Sequence, residues 1–132
     1  MEVTAISRNI RVTPQKVRLV VAQIKKMQPI SALEILDFVP NKSAKPLKKT
    51  ILSAVANAKN NFNLDESSLA FQEINITKGI VFKRYRPVSR GRAHSIKRQT
   101  SNIKIVLSGE KTKQVAKVPE ESKETKENKD EK

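Results

Sequence analysis

Apolar residues change period along this chain, and the changes divide it into elements. Glu2 to Arg8 alternates, with Val3, Ala5 and Ser7 on one side and Thr4 and Ile6 on the other, which predicts a short strand. From Val17 the period becomes helical: Val17, Val20, Val21 and Ile24 recur at i, i+3, i+4 and i+7 and make one apolar face, with Lys16 and Arg18 off the stripe. Thr13-Pro14 predicts the start of that helix, because Thr is a good cap and Pro at the first helical position has no amide to leave unpaired. Pro29 predicts its stop. Ser31 and Glu34 have the spacing of a capping box and predict a second helix whose inner face is Ala32, Ile35, Leu36 and Val39, ended by Pro40-Asn41. A third helix is predicted from Ser43 to Lys59, with Ala44, Leu47, Ile51, Val55 and Ala58 inward, Pro46 confined to its first turn and Asn60-Asn61 at its end.

After a polar loop at Asn63 to Ser68, alternation returns. Leu69 to Lys78 predicts a strand around Ile74 and Ile76, and Ile103, Ile105 and Leu107 predict its return partner. Between them lies a hairpin spanning 80–107, with Pro87 and Gly91 as backbone punctuation and Gly91 marking the turn. The whole pattern predicts an α+β fold: a three-stranded antiparallel sheet packed with three helices, plus a long protruding β-hairpin. Residues 112–132 are Glu, Lys, Thr, Ser and Asn with few apolar side chains, and predict a disordered C-terminal tail after one domain at 1–111.

Charge changes the picture most at the hairpin. The chain of 132 residues carries 27 Lys and Arg against 13 Asp and Glu, a formal net charge of +14. Residues 1–111 hold 21 of the basic and 7 of the acidic residues, so the tail is neutral and the domain carries the whole excess. No acid occurs between Glu73 and Glu110, yet Lys83, Arg84, Arg86, Arg90, Arg92, Lys97 and Arg98 fall within that span. Desolvating so many unpaired cations inside the protein itself would cost too much. A polyanionic partner is therefore expected, and nucleic acid is the commonest. Arginine predominates, and its planar fork suits phosphate and stacks on bases. Arg8 and Arg11 extend the candidate nucleic-acid-binding set toward the N-terminus.

Other chemistries find little support. Cysteine is absent, which excludes a disulfide framework and a thiolate metal site. No apolar run approaches the roughly 20 residues of a membrane span, and no leader pattern opens the chain. His94 is the single histidine; without a carboxylate or second His beside it, it reads as a polar loop residue rather than a general acid or base. No cofactor, no metal and no catalytic residue are expected. With four Phe, one Tyr and no Trp, an aromatic platform for single strands is not expected either.

Several blocks resemble the large ribosomal subunit protein 22 family. They are Gln15-Lys16-Val17-Arg18-Leu19-Val20, Ala56-Asn57-Ala58 with Asn61, Lys83-Arg84 through Pro87, Arg90-Gly91-Arg92-Ala93, and Lys97-Arg98 with Thr100-Ser101. The resemblance covers roughly residues 1–109 and implies that Lys16, Arg18, Lys83, Arg84, Arg90, Arg92, Lys97 and Arg98 face RNA. It implies a cytoplasmic, ribosome-bound component that binds large-subunit rRNA, sits among neighbouring large-subunit proteins and is neither an enzyme, a membrane protein nor a homo-oligomer. It also implies that the hairpin reaches the wall of the peptide exit tunnel near the macrolide-binding region, where a tip of Arg90, Gly91, Arg92, Ala93 and His94 would meet the nascent peptide. Val88 and Gln99 stand where that family usually has a basic residue, Asn102 where it usually has His, and His94 where Asp or a small residue is common. A free regulatory RNA- or DNA-binding protein is the alternative reading of the same charge.

Overall fold

The computed structural model describes residues 1–110, so the expected tail lies outside the described residues. In chain order the elements are β1 (Glu2–Ile10), α1 (Pro14–Ile24), α2 (Pro29–Phe38), α3 (Ala44–Phe62), a 3-10 turn (Glu66–Ser68), β2 (Ala70–Pro87), a second 3-10 turn (Ser89–Gly91) and β3 (Ala93–Ser108). The expected α+β architecture is present. The three strands form one antiparallel sheet in the order β1-β3-β2, so the last strand lies in the middle.

The core lies between one face of this sheet and the helices. Ile103, Ile105 and Leu107 of β3 face it, opposite Val3 and Ala5 of β1 and Ile74 and Ile76 of β2. Against them pack Val17, Val20, Val21 and Ile24 of α1 and Leu47, Ile51, Ala54 and Ala58 of α3. A bulge between Phe71 and Glu73 lets Phe71 and Ile74 share the inner face despite their odd separation. The outer face carries Thr4, Glu73, Asn75, Thr77, Asn102 and Lys104, as a half-solvated antiparallel sheet allows.

Three expectations about the helices are corrected. Pro29 does not merely end α1, which already stops at Ile24; it occupies the first turn of α2. The Ser31/Glu34 capping box is not used, since the N-cap position of α2 falls three residues earlier, at Gln28 before Pro29, and has no side-chain cap. Starting there buries Pro29, Ala32 and Leu36 with Leu33 alongside, and turns Ile35 outward. α3 runs past Asn60-Asn61 to Phe62 and ends where Asn63 adopts a left-handed conformation (φ 49°), which Asn tolerates better than other non-glycine residues. Thr50 joins its buried face by donating its hydroxyl to Pro46 O (2.9 Å), while Val55 is only partly buried. Two ion pairs tie α3 to its surroundings, Lys48–Asp37 and Lys59–Glu66. The hydrogen bond and charge of Glu66 hold the Lys59 amine above its ordinary range.

β1 reaches Ile10 rather than Arg8, and β2 is continuous from the globular part into the hairpin. The pairing of β2 with β3 carries an extra β2 residue between Lys78 and Val81. Gly79 sits at this bulge, where a Cβ would lie 2.5 Å from Thr100 Oγ1 and 3.1 Å from the side-chain oxygens of Asn9 and Asn102. Thr100 is buried and its hydroxyl donates to Ile80 O (2.6 Å), so it cannot simply rotate away. Gly79→Ala is therefore expected to cost about 1–3 kcal/mol by overpacking. In thermal denaturation that lowers the midpoint by roughly 4–8 °C per kcal/mol for a domain of this size. An unchanged midpoint would show that the bulge opens without cost.

Candidate nucleic-acid interface

The path of β1 creates the site. Its pairing with β3 ends at Ile10↔Ser101, and Arg11 to Thr13 then turn away into α1. From Ala93 to Thr100, β3 is therefore paired on its β2 side only. The space beside that edge is an open cleft of 920 Å³. Arg11, Thr13, Lys16 and Leu19 line one wall, Pro40, Asn41 and Lys42 the end, and Phe82, Arg84, Lys97, Arg98, Gln99 and Thr100 the hairpin wall.

Local chemistry holds these walls. Pro14 and the α1 stripe fix Lys16 on the exposed side of its helix. Ser43, fully buried, places its hydroxyl 3.1 Å from Lys16 O and 2.8 Å from Asn41 Oδ1, which brings the α2–α3 turn and Lys42 against the start of α1. On the hairpin, Arg84 holds its guanidinium 5.5 Å from the Phe82 ring centroid, within reach of a cation–π attraction. Its Nη1 also donates to Lys83 O (2.9 Å). The side chain is thus partly ordered before any ligand arrives.

The electrostatics are one-sided. Arg11, Lys16, Lys42, Arg84, Lys97 and Arg98 line the cleft, and no carboxylate does. Among the described residues neither ion pair involves a cation of the cleft or the hairpin. Lys83 lies directly opposite Lys97 across the hairpin. Like charges so placed repel, and an anion bridging them relieves the repulsion.

The expected site residues are distributed as follows. Arg11 and Lys16 meet Arg84, Lys97 and Arg98 in the cleft, although they lie far apart in sequence. Lys83 faces Lys97 on the exposed shaft, and Arg86, Arg90 and Arg92 are exposed farther out. Arg8 is exposed on β1 and does not line the cleft. Arg18 is also outside it: its Nη2 donates to Ile76 O (3.0 Å) and ties α1 to β2. One of its five donors is so engaged. The expected tip of Arg90 to His94 divides in two. Arg90 (φ 59°) and Gly91 (φ 68°) make the turn, closed by Val88 N–H to Arg92 O (2.8 Å). Ala93 and His94 already belong to β3, opposite Pro87 and Arg86. Lys42 and Phe82 are cleft residues that sequence reasoning missed. Lys42 had one signal, a cation between the turn former Asn41 and the start of α3; Phe82 had none beyond lying two residues before Arg84.

No group of three or more His, Cys, Asp or Glu among the described residues is arranged to hold a metal ion. None of the described helices is long and apolar enough to cross a membrane.

The chain is 42% identical over 110 residues to the large ribosomal subunit protein uL22 of Fusobacterium nucleatum subsp. nucleatum, an alignment covering 83% of this chain and 99% of that relative. Residues 5–108, from the middle of β1 to the end of β3, match the family described as ribosomal protein L22p/L17e. With most of the sheet, the three helices and the basic hairpin inside the matched span, this chain belongs to the ribosomal protein L22p/L17e family.

Proposed function

We propose that this protein is a structural component of the large ribosomal subunit that binds large-subunit rRNA through the cleft and the hairpin, and that the hairpin reaches the wall of the peptide exit tunnel. Membership of the family supports the ribosomal part of the reading. The observation that carries RNA binding is the meeting of six cations, with no carboxylate, around one open cleft that continues into the exposed shaft. Arg11, Lys16, Lys42, Arg84, Lys97 and Arg98 are spread over three chain segments, so they can hold phosphates of more than one RNA strand. Arg8, Lys83 and Arg86 extend this surface, and Arg18 combines its tie to β2 with exposed donors. Phosphate contacts of this kind fix position and do not read sequence, so specificity comes from the shape of the RNA.

The shaft sets the reach. At about 3.3 Å per residue, the six steps from Val81 to Pro87 carry the turn roughly 20 Å beyond the bulge. Arg90, Gly91 and Arg92 form that end, with Ala93 and His94 just behind, and they are the residues presented to a nascent peptide. Large-subunit rRNA and neighbouring large-subunit proteins are the standing partners, within ribosomes of the cytoplasm. A formal +14 on the chain makes self-association without RNA unfavourable.

Sedimentation tests the assignment. Nearly all the protein is expected with the large subunit at moderate salt, released only when the salt is raised far enough to compete with phosphate contacts. Recovery mainly in the free fraction would overturn the reading in favour of a free nucleic-acid-binding protein.

A further inference from the structure

Two irregularities fall at the same level of β3, one on each side. Between the pairs Ser7↔Ile103 and Ile10↔Ser101, β1 advances three residues while β3 advances two. Between Lys78↔Ser101 and Val81↔Gln99, β2 does the same. The three-stranded sheet becomes a two-stranded shaft at this level. Bulges bend a strand and raise its twist, and an extra residue also changes which side chains face which way. Ile74 and Ile76 face the core before the β2 bulge; after it Val81, Lys83 and Tyr85 continue that face. Phe82 and Arg84 then share the other face with Ile96 and Arg98.

Four polar or small residues are gathered at this point. The side chain of Asn102 spans both neighbouring strands: its Oδ1 accepts from Asn9 N–H (2.8 Å) and its Nδ2 donates to Lys78 O (3.4 Å). Asn9 holds the left-handed conformation (φ 55°) that presents its amide there. Thr100 donates to the bulge carbonyl of Ile80 (2.6 Å), and Gly79 leaves the room that Thr100 occupies. Each hydrogen bond joins β3 to a residue within or beside an irregular stretch.

We propose that this clasp of Asn9, Gly79, Thr100 and Asn102 is the positioning device of the hairpin, holding the shaft in one register and one direction relative to the helices. The inference rests on the reading of the hairpin as the element that reaches through RNA, for which a fixed direction matters. Asn102 is its central positioning residue. An apolar side chain there can neither accept from Asn9 nor donate to Lys78. A shaft that lost the extra β2 residue would exchange the facing of Lys83 and Arg84 and take Phe82 out of the cleft.

The chain has no cysteine, so two can be introduced cleanly for spin labels. Ser31 on α2 and Ser95 on β3 are both exposed. Electron–electron double resonance on the full chain, free of RNA and labelled through Ser31→Cys and Ser95→Cys, measures the direction of the shaft. One narrow distance distribution is expected with the clasp intact. Asn102→Leu is expected to shift, split or broaden it, and Thr100→Val to do so independently. Asn102→Asp keeps the acceptor for Asn9 and is expected to restore most of the narrow component. Circular dichroism confirms that each variant is folded, and Thr100→Val serves if Asn102→Leu is not. The same narrow distribution in all folded variants would overturn the proposal. Because no RNA is present, that result would leave the RNA-binding reading intact, whereas failure of the sedimentation test would leave the clasp intact.

Discussion

Replacing Arg84 or Arg98 by alanine is expected to flatten the salt dependence of affinity for large-subunit rRNA by about one unit on a log–log plot. Both side chains line the cleft, from opposite strands of the hairpin. Each phosphate neutralised on a duplex contributes a slope of about −0.9, so one lost contact weakens binding roughly eightfold at 0.1 M salt relative to 1 M. The double variant is expected to lose about two units of slope, because the two side chains occupy separate strands and meet different phosphates. Arg84→Ala also strips the Phe82 ring of its cation, whereas Arg84→Lys keeps the charge but not the planar fork. The lysine variant should therefore retain the slope while losing some affinity. Lys59→Ala provides the control: its charge is already engaged by Glu66, far from the cleft, and the slope should not change. Filter binding over a salt series measures all of these. Equal slopes for the parent chain and for Arg84→Ala with Arg98→Ala would mean that the cleft does not hold phosphate.

Deleting Phe82, Lys83 and Arg84 together is expected to displace the hairpin tip while leaving the globular part folded. None of the three belongs to the core between sheet and helices. The deletion shortens the β2 arm by roughly 10 Å at 3.3 Å per residue while β3 keeps its length, so the turn at Ser89 to Gly91 must bend or slide. Three is an odd number, so Arg86 would move to the face that Lys83 now occupies and Tyr85 to that of Phe82. The cleft would lose one cation and exchange Phe82 for Tyr85 but keep Arg11, Lys16, Lys42, Lys97 and Arg98. Incorporation into the subunit should survive with reduced affinity. A structure of the subunit carrying the deletion should show the tip moved, and macrolide sensitivity should change with the shape of the tunnel wall. An unmoved tip with unchanged sensitivity would sink the proposal that this hairpin reaches the tunnel wall.

How much of this was legible beforehand depended on how local each feature is. The stripe Val17, Val20, Val21 and Ile24 and the stripe Ala44, Leu47, Ile51 and Ala58 are both buried, because a helix buries residues at a period that its own sequence displays. The alternation of Ile103, Ile105 and Leu107 likewise marked the core face of β3. The turn at Gly91 was readable from its residue type, since the backbone there has positive φ. The acid-free run of arginines was legible as an exposed element, because composition alone makes it costly to bury, and all of its cations are exposed.

Other features required the assembled chain. Pro29 can end one helix or start the next, and local signals favoured the Ser31/Glu34 box; burial of Pro29, Ala32 and Leu36 decided for the earlier start. Asn60 and Asn61 are plausible helix ends, yet the left-handed turn falls at Asn63, which lets Leu64 bury itself in the core. Neither bulge could be seen in the periodicity, because each depends on which β3 residue happens to lie opposite. That choice rests on side chains remote in sequence, Asn9 and Lys78 with Asn102 and Ile80 with Thr100. The sequence alone therefore determined three helices, a small antiparallel sheet and an exposed basic hairpin. Only the tertiary structure decided which cations share a cleft, because β1 leaves the sheet at Ile10 and an extra residue at Gly79 turns Arg84 onto the same face as Arg98.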